Sequence, residues 1–222
     1  MFIGHYAAGF ALKSVEKKAS LGMLFIAVQF VDYLFFILAP MGIEKFRLVE
    51  NYTAINHFDL YYYPYTHGLL ASVIWAVLIY GLWRYVPPFK AMAKGRVALV
   101  MGLAVLSHWF ADLIVHTPDL PLLGDDSLKV GFGLWNDFMA TVVVEIALLV
   151  GGLILYLRST TATGAMGKYG MIIFVAIMIC LYLVVVNMPF DPNATVTVAS
   201  VSSLAVFTLF TAIAFWLDRY RV

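Results

Sequence analysis

With one cysteine among 222 residues, Cys180 has no partner within the chain. That excludes an internal disulfide framework and a cysteine-based metal or redox site. Its apolar neighbourhood makes simple packing the expected role. Charge is scarce too, at 12% of residues with a formal net charge of +1. So small an excess offers no electrostatic footprint for nucleic acid, and no such partner is expected. A signal peptide is not expected either. The cluster Lys13, Glu16, Lys17 and Lys18 follows the first apolar run, and no A-x-A pattern closes the next one. No internal repeat and no low-complexity segment is visible.

What the chain has in quantity is apolar sequence, 63% of all residues, far above an ordinary soluble domain. Runs long enough to cross a bilayer need about 20 residues. Six are read here: Leu21 to Ala39, stopped by Pro40 and Gly42; His67 to Tyr85, before Pro87-Pro88; Val97 to His116; Leu134 to Leu157; Tyr169 to Met188; and Thr195 to Leu217. The expected fold is an all-α polytopic membrane bundle of six transmembrane helices plus a short N-terminal helix. It forms one membrane domain over residues 1–222, with residues 1–158 bearing the site and residues 159–222 as two apolar scaffold helices. Orientation follows the distribution of Lys and Arg. With the N-terminus inside, the inner segments hold Lys13, Lys17, Lys18, Arg84, Lys90, Lys94, Arg96, Arg158, Lys168, Arg219 and Arg221, and the outer loops only Lys45, Arg47 and Lys129. Both termini are therefore expected in the cytoplasm.

The third run carries Ser107-His108-Trp109-Phe110-Ala111-Asp112-Leu113-Ile114-Val115-His116. His108, Asp112 and His116 are four residues apart and stack along one helix face. Ionisable groups at membrane depth are costly and persist where they pair, bind an ion or line a polar cavity. At about 1.5 Å per residue, Asp112 lies about 6 Å and His108 about 12 Å below His116. His67 caps the outer end of the second run, and Asp32 lies about 10 Å below the outer end of the first. Asp137 and Glu145, eight residues apart in the fourth, share roughly a face. His or carboxylate groups from four neighbourhoods thus reach the outer half. The last two runs contain no ionisable group. The small residues of the sixth (Thr197, Ala199, Ser200, Ser202, Ser203, Ala205) suit close helix packing, so these two helices are expected to serve as scaffold or as a homo-oligomer face. His5 leaves two options open. A helix rising from Lys13 into the bundle lifts it about 12 Å, to the level of His108, whereas a helix lying flat leaves it among the headgroups.

Imidazole and carboxylate donors without thiolates favour zinc, with manganese or iron as alternatives. A cation offsets the cost of burying Asp32 and Asp112 together, and bound zinc generates a nucleophile from water. Other readings stand beside this one. His108 and Asp112 can be a hydrogen-bonded packing pair, His67 and His116 solvated residues at the interface, and Glu145 a protonated packed residue. His57 reads as a bystander. Asp112 is the candidate catalytic ligand, and Glu145 the candidate base near the metal or an additional ligand.

The ordered set Gly4-His5, Asp32, Pro64-Tyr65-Thr66-His67-Gly68 and Ser107-His108-Trp109-Phe110-Ala111-Asp112 resembles the YdjM-like family of bacterial inner-membrane, metal-dependent hydrolases, distantly similar to zinc-dependent phospholipases C. The resemblance spans roughly residues 1–158. It implies His5, Asp32, His67, His108 and Asp112 as metal ligands, and the bacterial inner membrane as location. Two departures are plain: the family's L-P-D-x-D element is reduced to Val31-Asp32-Tyr33-Leu34, and Gly68 replaces the serine of T-H-S. The later His-x-x-x-Glu pair of the phospholipases is also missing, a place for which Asp137, Glu145 or His116 are the substitutes. The expected function is a metal-dependent hydrolase in the outer half of the bilayer, using a metal-activated water on a phosphoester such as a lipid headgroup, with membrane lipids as partners. The alternatives are an ion- or proton-coupled transporter or channel built on the same cluster, and a non-catalytic membrane scaffold.

Overall fold

The computed structural model describes residues 1–92 and 96–222. Lys94, counted above among the inner cations, lies outside the described residues. The chain opens with α1 (His5–Val15), then α2 (Leu21–Val28) and α3 (Phe30–Leu38), a hairpin of β1 (Lys45–Leu48) and β2 (Phe58–Tyr62), α4 (Leu69–Tyr85) and the short α5 (Phe89–Met92). There follow α6 (Val97–Val115), the paired β3 (Leu120–Pro121) and β4 (Lys129–Val130), a 3-10 turn at Leu134–Asn136, α7 (Phe138–Ser159), α8 (Gly164–Val186) and α9 (Val196–Asp218). Among the described residues four helices, α6 to α9, are long and apolar enough to cross a membrane, and α2 with α3 makes a fifth if the bent pair is one span. Their length and composition mark the chain as a membrane protein.

Several expectations change in detail. The first apolar run is not one helix. It breaks at Gln29, where the axis bends by 50°. α4, with 17 residues, is shorter than a straight crossing requires. The segment after α3 is not simply a loop, because β1 and β2 pair antiparallel over Lys45–Tyr62 and cover one end of the bundle. α7 starts at Phe138, since Asp137 is its N-cap and accepts from the Ala140 N–H at 2.9 Å. A side chain that holds its own helix terminus is a cap, so Asp137 is no substitute ligand. Cys180 is exposed on α8 rather than packed inside.

α1 settles against α7, α2 and α6 inside the bundle. The approach is made possible at Gly152 of α7, where an added Cβ would stand 2.7 Å from the Ala7 carbonyl oxygen and 2.8 Å from its Cα. α2 meets α9 in the same way, Gly22 lying under the Phe215 ring. An aromatic layer fills the space below His5: Tyr6 and Phe10 pack on Phe25 with ring centroids 4.6 and 5.2 Å apart, and Phe10 on Tyr156 at 5.4 Å. Below this layer Lys13 donates to Asp218 at 2.9 Å and to the Ala19 carbonyl at 2.8 Å, while Tyr156 and the Leu21 N–H also donate to Asp218. Nearby, the Arg221 guanidinium donates to Thr160 and to the Gly167 and Leu157 carbonyls. These bonds satisfy buried charge at the end of the bundle opposite the hairpin.

Candidate metal centre

The break at Gln29 begins the site. It places the Val28 carbonyl against the His108 ring, whose Nδ1–H donates to it at 2.6 Å, and it sets Asp32 in the first turn of α3. His108 and Asp112 come from consecutive turns of α6, and their Nε2 and Oδ2 atoms are 3.0 Å apart. α1 delivers His5 from below. Its ring stacks on His108 with centroids 3.7 Å apart, and its Nε2 is 3.1 Å from Asp112 Oδ1. His67 sits in the turn that enters α4, with Nε2 3.1 Å from Asp32 Oδ1 and 3.7 Å from Asp112 Oδ2. His116 has left the helix as the C-cap of α6, yet its Nε2 remains 3.7 Å from Asp112 Oδ1. The α-amino group of Met1 donates to Asp112 Oδ1 at 2.6 Å. The six residues singled out in the sequence as ligands therefore converge on one buried cluster, and His5 lies in the bundle, not among headgroups.

Around this cluster each of three rings is tied by its Nδ1 to a group outside it. His108 donates to a carbonyl, which can only accept. Thr66 Oγ1 has one proton and donates it to Glu44 Oε2 at 2.7 Å, so at 2.7 Å from His67 Nδ1 it accepts. His116 Nδ1 is 3.0 Å from Asp119 Oδ1. Nδ1 thus carries a proton in each of these rings, so in a neutral ring Nε2 would present a lone pair to the carboxylate of Asp32 or Asp112. Acceptor faces acceptor, a repulsive arrangement unless a cation, metal or proton, stands between. Residues whose hydrogen bonds orient the far nitrogen of an imidazole are a regular feature of metal sites.

The spacing also fits a metal. Neighbouring donors around a tetrahedral ion with bonds of about 2.0–2.1 Å lie about 3.3 Å apart, within the 3.0–3.7 Å spread of the nitrogen–oxygen distances here. Among the described residues, His108 Nε2, Asp112 Oδ2 and both nitrogens of His5 are buried without a hydrogen bond. His108 Nε2 and Asp112 Oδ2 are close but not aligned with one another, as expected for donors aimed at a shared point. Two overlapping triads, His5/Asp32/His108 and His67/His108/Asp112, have donor atoms within 4.8 Å of one another and can hold a metal ion.

Glu145 has a different task from the one read in the sequence. Its Oε2 accepts from the Phe2 and Gly4 N–H groups at 2.9 and 3.1 Å, so α7 holds the segment that brings His5 to the cluster. Two participants were not singled out at all. Glu44 also accepts from the Tyr65 and Thr66 N–H groups at 2.8 and 3.0 Å, so it fixes the turn that presents His67. Asp119 braces His116. Burial pushes its carboxyl up, but the His116 ring, Tyr63 and Thr117 outweigh that and hold it below its ordinary value. A signal for Asp119 existed in its place three residues after His116 in a Pro-containing turn; Glu44 had none. His57 stays apart in the hairpin loop, accepting from the Asn51 N–H at 3.0 Å.

Asp32, His67, Asp112, His116 and Glu145 form the floor of a cavity of about 360 Å3 with otherwise mainly apolar walls. Compared with known protein families, curated proteins and solved structures, the chain matches none.

Proposed function

We propose that the protein is a membrane-embedded, metal-dependent hydrolase of a phosphoester such as a lipid headgroup, as its resemblance to the YdjM-like family implies. The observation that carries this reading is the set of three Nε2 atoms, in rings each oriented by an outside partner, turned toward Asp32 and the buried Asp112. His5, Asp32, His67, His108 and Asp112 would hold the ion, with His116 beside them. Nitrogen and oxygen donors without sulfur favour zinc, and manganese or iron suit the same set. When bound, such an ion lowers the pKa of water and offsets phosphoryl charge.

The chain supplies the rest. The cavity floor receives the phosphoryl group while the apolar walls exclude bulk water. Asp112 lies within 3.7 Å of four imidazoles and organises them. His116, backed by Asp119, is at the cavity edge and is suited to holding or passing a proton to a leaving group. In the membrane we place six crossings, both termini in the cytoplasm and the hairpin outside, in a bacterial inner membrane, because the cations gather at the end opposite the hairpin. A transporter would need polar groups to continue toward the cytoplasm. The Tyr6, Phe10, Phe25 and Tyr156 layer occupies that path instead.

The test is metal analysis and phosphodiester hydrolysis on the same purified samples. Wild type should carry stoichiometric divalent metal and hydrolyse the ester, and Asp112→Asn should lose at least tenfold in both. Full hydrolysis by Asp112→Asn, or a metal-loaded wild type inert toward every phosphoester, would overturn the proposal in favour of a transporter or a scaffold.

A further inference from the structure

The cavity above the polar floor runs away from it, between the hairpin halves of α8 and α9. Its far wall is built from the stretches of α8 and α9 that hold no Asp, Glu, Lys, Arg or His. Ala199, Ser202 and Ser203 of α9 line it, so the small residues open a space there where close packing was expected. On the facing side Val185 and Met188 line the same cavity and are 43% and 58% exposed, so the cavity opens beside them. Ser202 of α9 is exposed as well, so the opening lies between two helices of membrane-crossing length, on the side where lipid would surround them. Toward the bundle end the hairpin closes it: Ile55, Phe58 and Leu60 line the cavity, and His57 packs on Phe190 of the loop between α8 and α9 with centroids 5.2 Å apart.

A second observation points to a ligand. Tyr182 lines the cavity, is 1% exposed, and its hydroxyl has no hydrogen-bond partner among the described residues. A buried hydroxyl left without a partner costs free energy unless an occupant supplies an acceptor. The volume, about 360 Å3, is at the lower end of small-molecule sites, which run about 300–1,000 Å3. One extended chain fits such a volume better than two. Mainly apolar walls, a cation-seeking floor and an opening between α8 and α9 together describe an amphiphile.

We propose that α8 and α9 form a lateral portal through which one alkyl chain of an anionic phosphate-bearing lipid enters from the surrounding leaflet, placing its phosphoryl group on the floor. This rests on the functional reading above for the identity of the headgroup, but chain binding needs no turnover and is measured apart from it.

The probe is an alkyl phosphate carrying a diazirine near the end of its chain, photolysed with the purified full-length protein and mapped by peptide mass spectrometry. Labelling should fall on the stretches 182–188 and 199–207 and be competed by dodecyl phosphate but not by methyl phosphate. Ser203→Phe should lower it at least tenfold with metal content kept at the wild-type level; Ala199→Leu serves if that variant does not fold. Label spread over other lipid-facing surfaces, or unchanged in the filled variants, would overturn the portal. A labelled portal in a protein that hydrolyses nothing keeps this inference and removes the hydrolase. Hydrolysis without such labelling does the reverse.

Discussion

At the scale of single residues, the cluster depends on groups that never face its centre. Asp119 binds His116 Nδ1, and Thr66 with Glu44 binds His67 Nδ1. Losing such partners in known sites lowers metal affinity by about 10–100-fold. Asp119→Asn, which keeps the shape and removes the charge, should weaken metal retention by that factor in a competition titration with a chelator. Unchanged retention would show that His116 is not a ligand. Glu145 separates two roles by chemistry. Glu145→Gln keeps an oxygen able to accept from Phe2 and Gly4, so His5 stays in place and bound metal should remain within twofold of wild type. Glu145→Ala removes the acceptor and should reduce it several-fold. Equal metal content in both would mean that the N-terminal segment holds His5 without Glu145. All six ligand candidates were legible in the sequence because an ionisable side chain inside an apolar run is rare, and His108, Asp112 and His116 share one stripe. Glu44 and Asp119 were not. A carboxylate in a polar loop looks like any solvated residue until the fold buries it.

At the scale of elements, the ends of two apolar runs were read nearly to the residue, α6 being Val97–Val115 and α9 Val196–Asp218, whereas α7 starts four residues later and α8 five residues earlier than read. The first run misled because its composition is continuous. Its break is made by tertiary context, with Gln29 fully buried at the bend and the Val28 carbonyl committed to His108. The hairpin was missed for another reason. Its strands, four and five residues long, stand in a segment whose aromatics also suit a membrane interface. The place of α1 rests on a glycine contact. Gly152→Val would press two methyl groups into the Ala7 backbone, and overpacking of this kind costs about 1–3 kcal/mol. Thermal unfolding in detergent should drop measurably, with metal content falling alongside as His5 is displaced. An unaltered unfolding temperature would mean that α1 is not held against α7 there.

At the scale of the whole molecule, the cations collect at one end and the hairpin covers the other. If the cationic end is cytoplasmic, a cysteine placed in the Asp125-Asp126 loop of a Cys180→Ser background should react with an impermeant maleimide from outside intact cells. Labelling from the cytoplasmic side alone would invert the topology. The sequence reading assigned the final two helices to support. The fold makes them a wall of the cavity, which no inventory of ionisable residues can reveal, because a wall for an apolar ligand consists of residues that carry no chemistry of their own.

The aromatic layer of Tyr6, Phe10, Phe25 and Tyr156 has a consequence for supply. It lies between the cluster and the Lys13–Asp218 end, so an ion bound beside Asp112 exchanges with the compartment on the hairpin side. If the hairpin side is outside the cell, the protein would be loaded after insertion, by whatever metal that compartment offers, and its occupancy would be indifferent to the tightly buffered pools of the cytosol. In sealed vesicles of known orientation, a membrane-impermeant chelator should empty the site from the hairpin side and leave it full from the other.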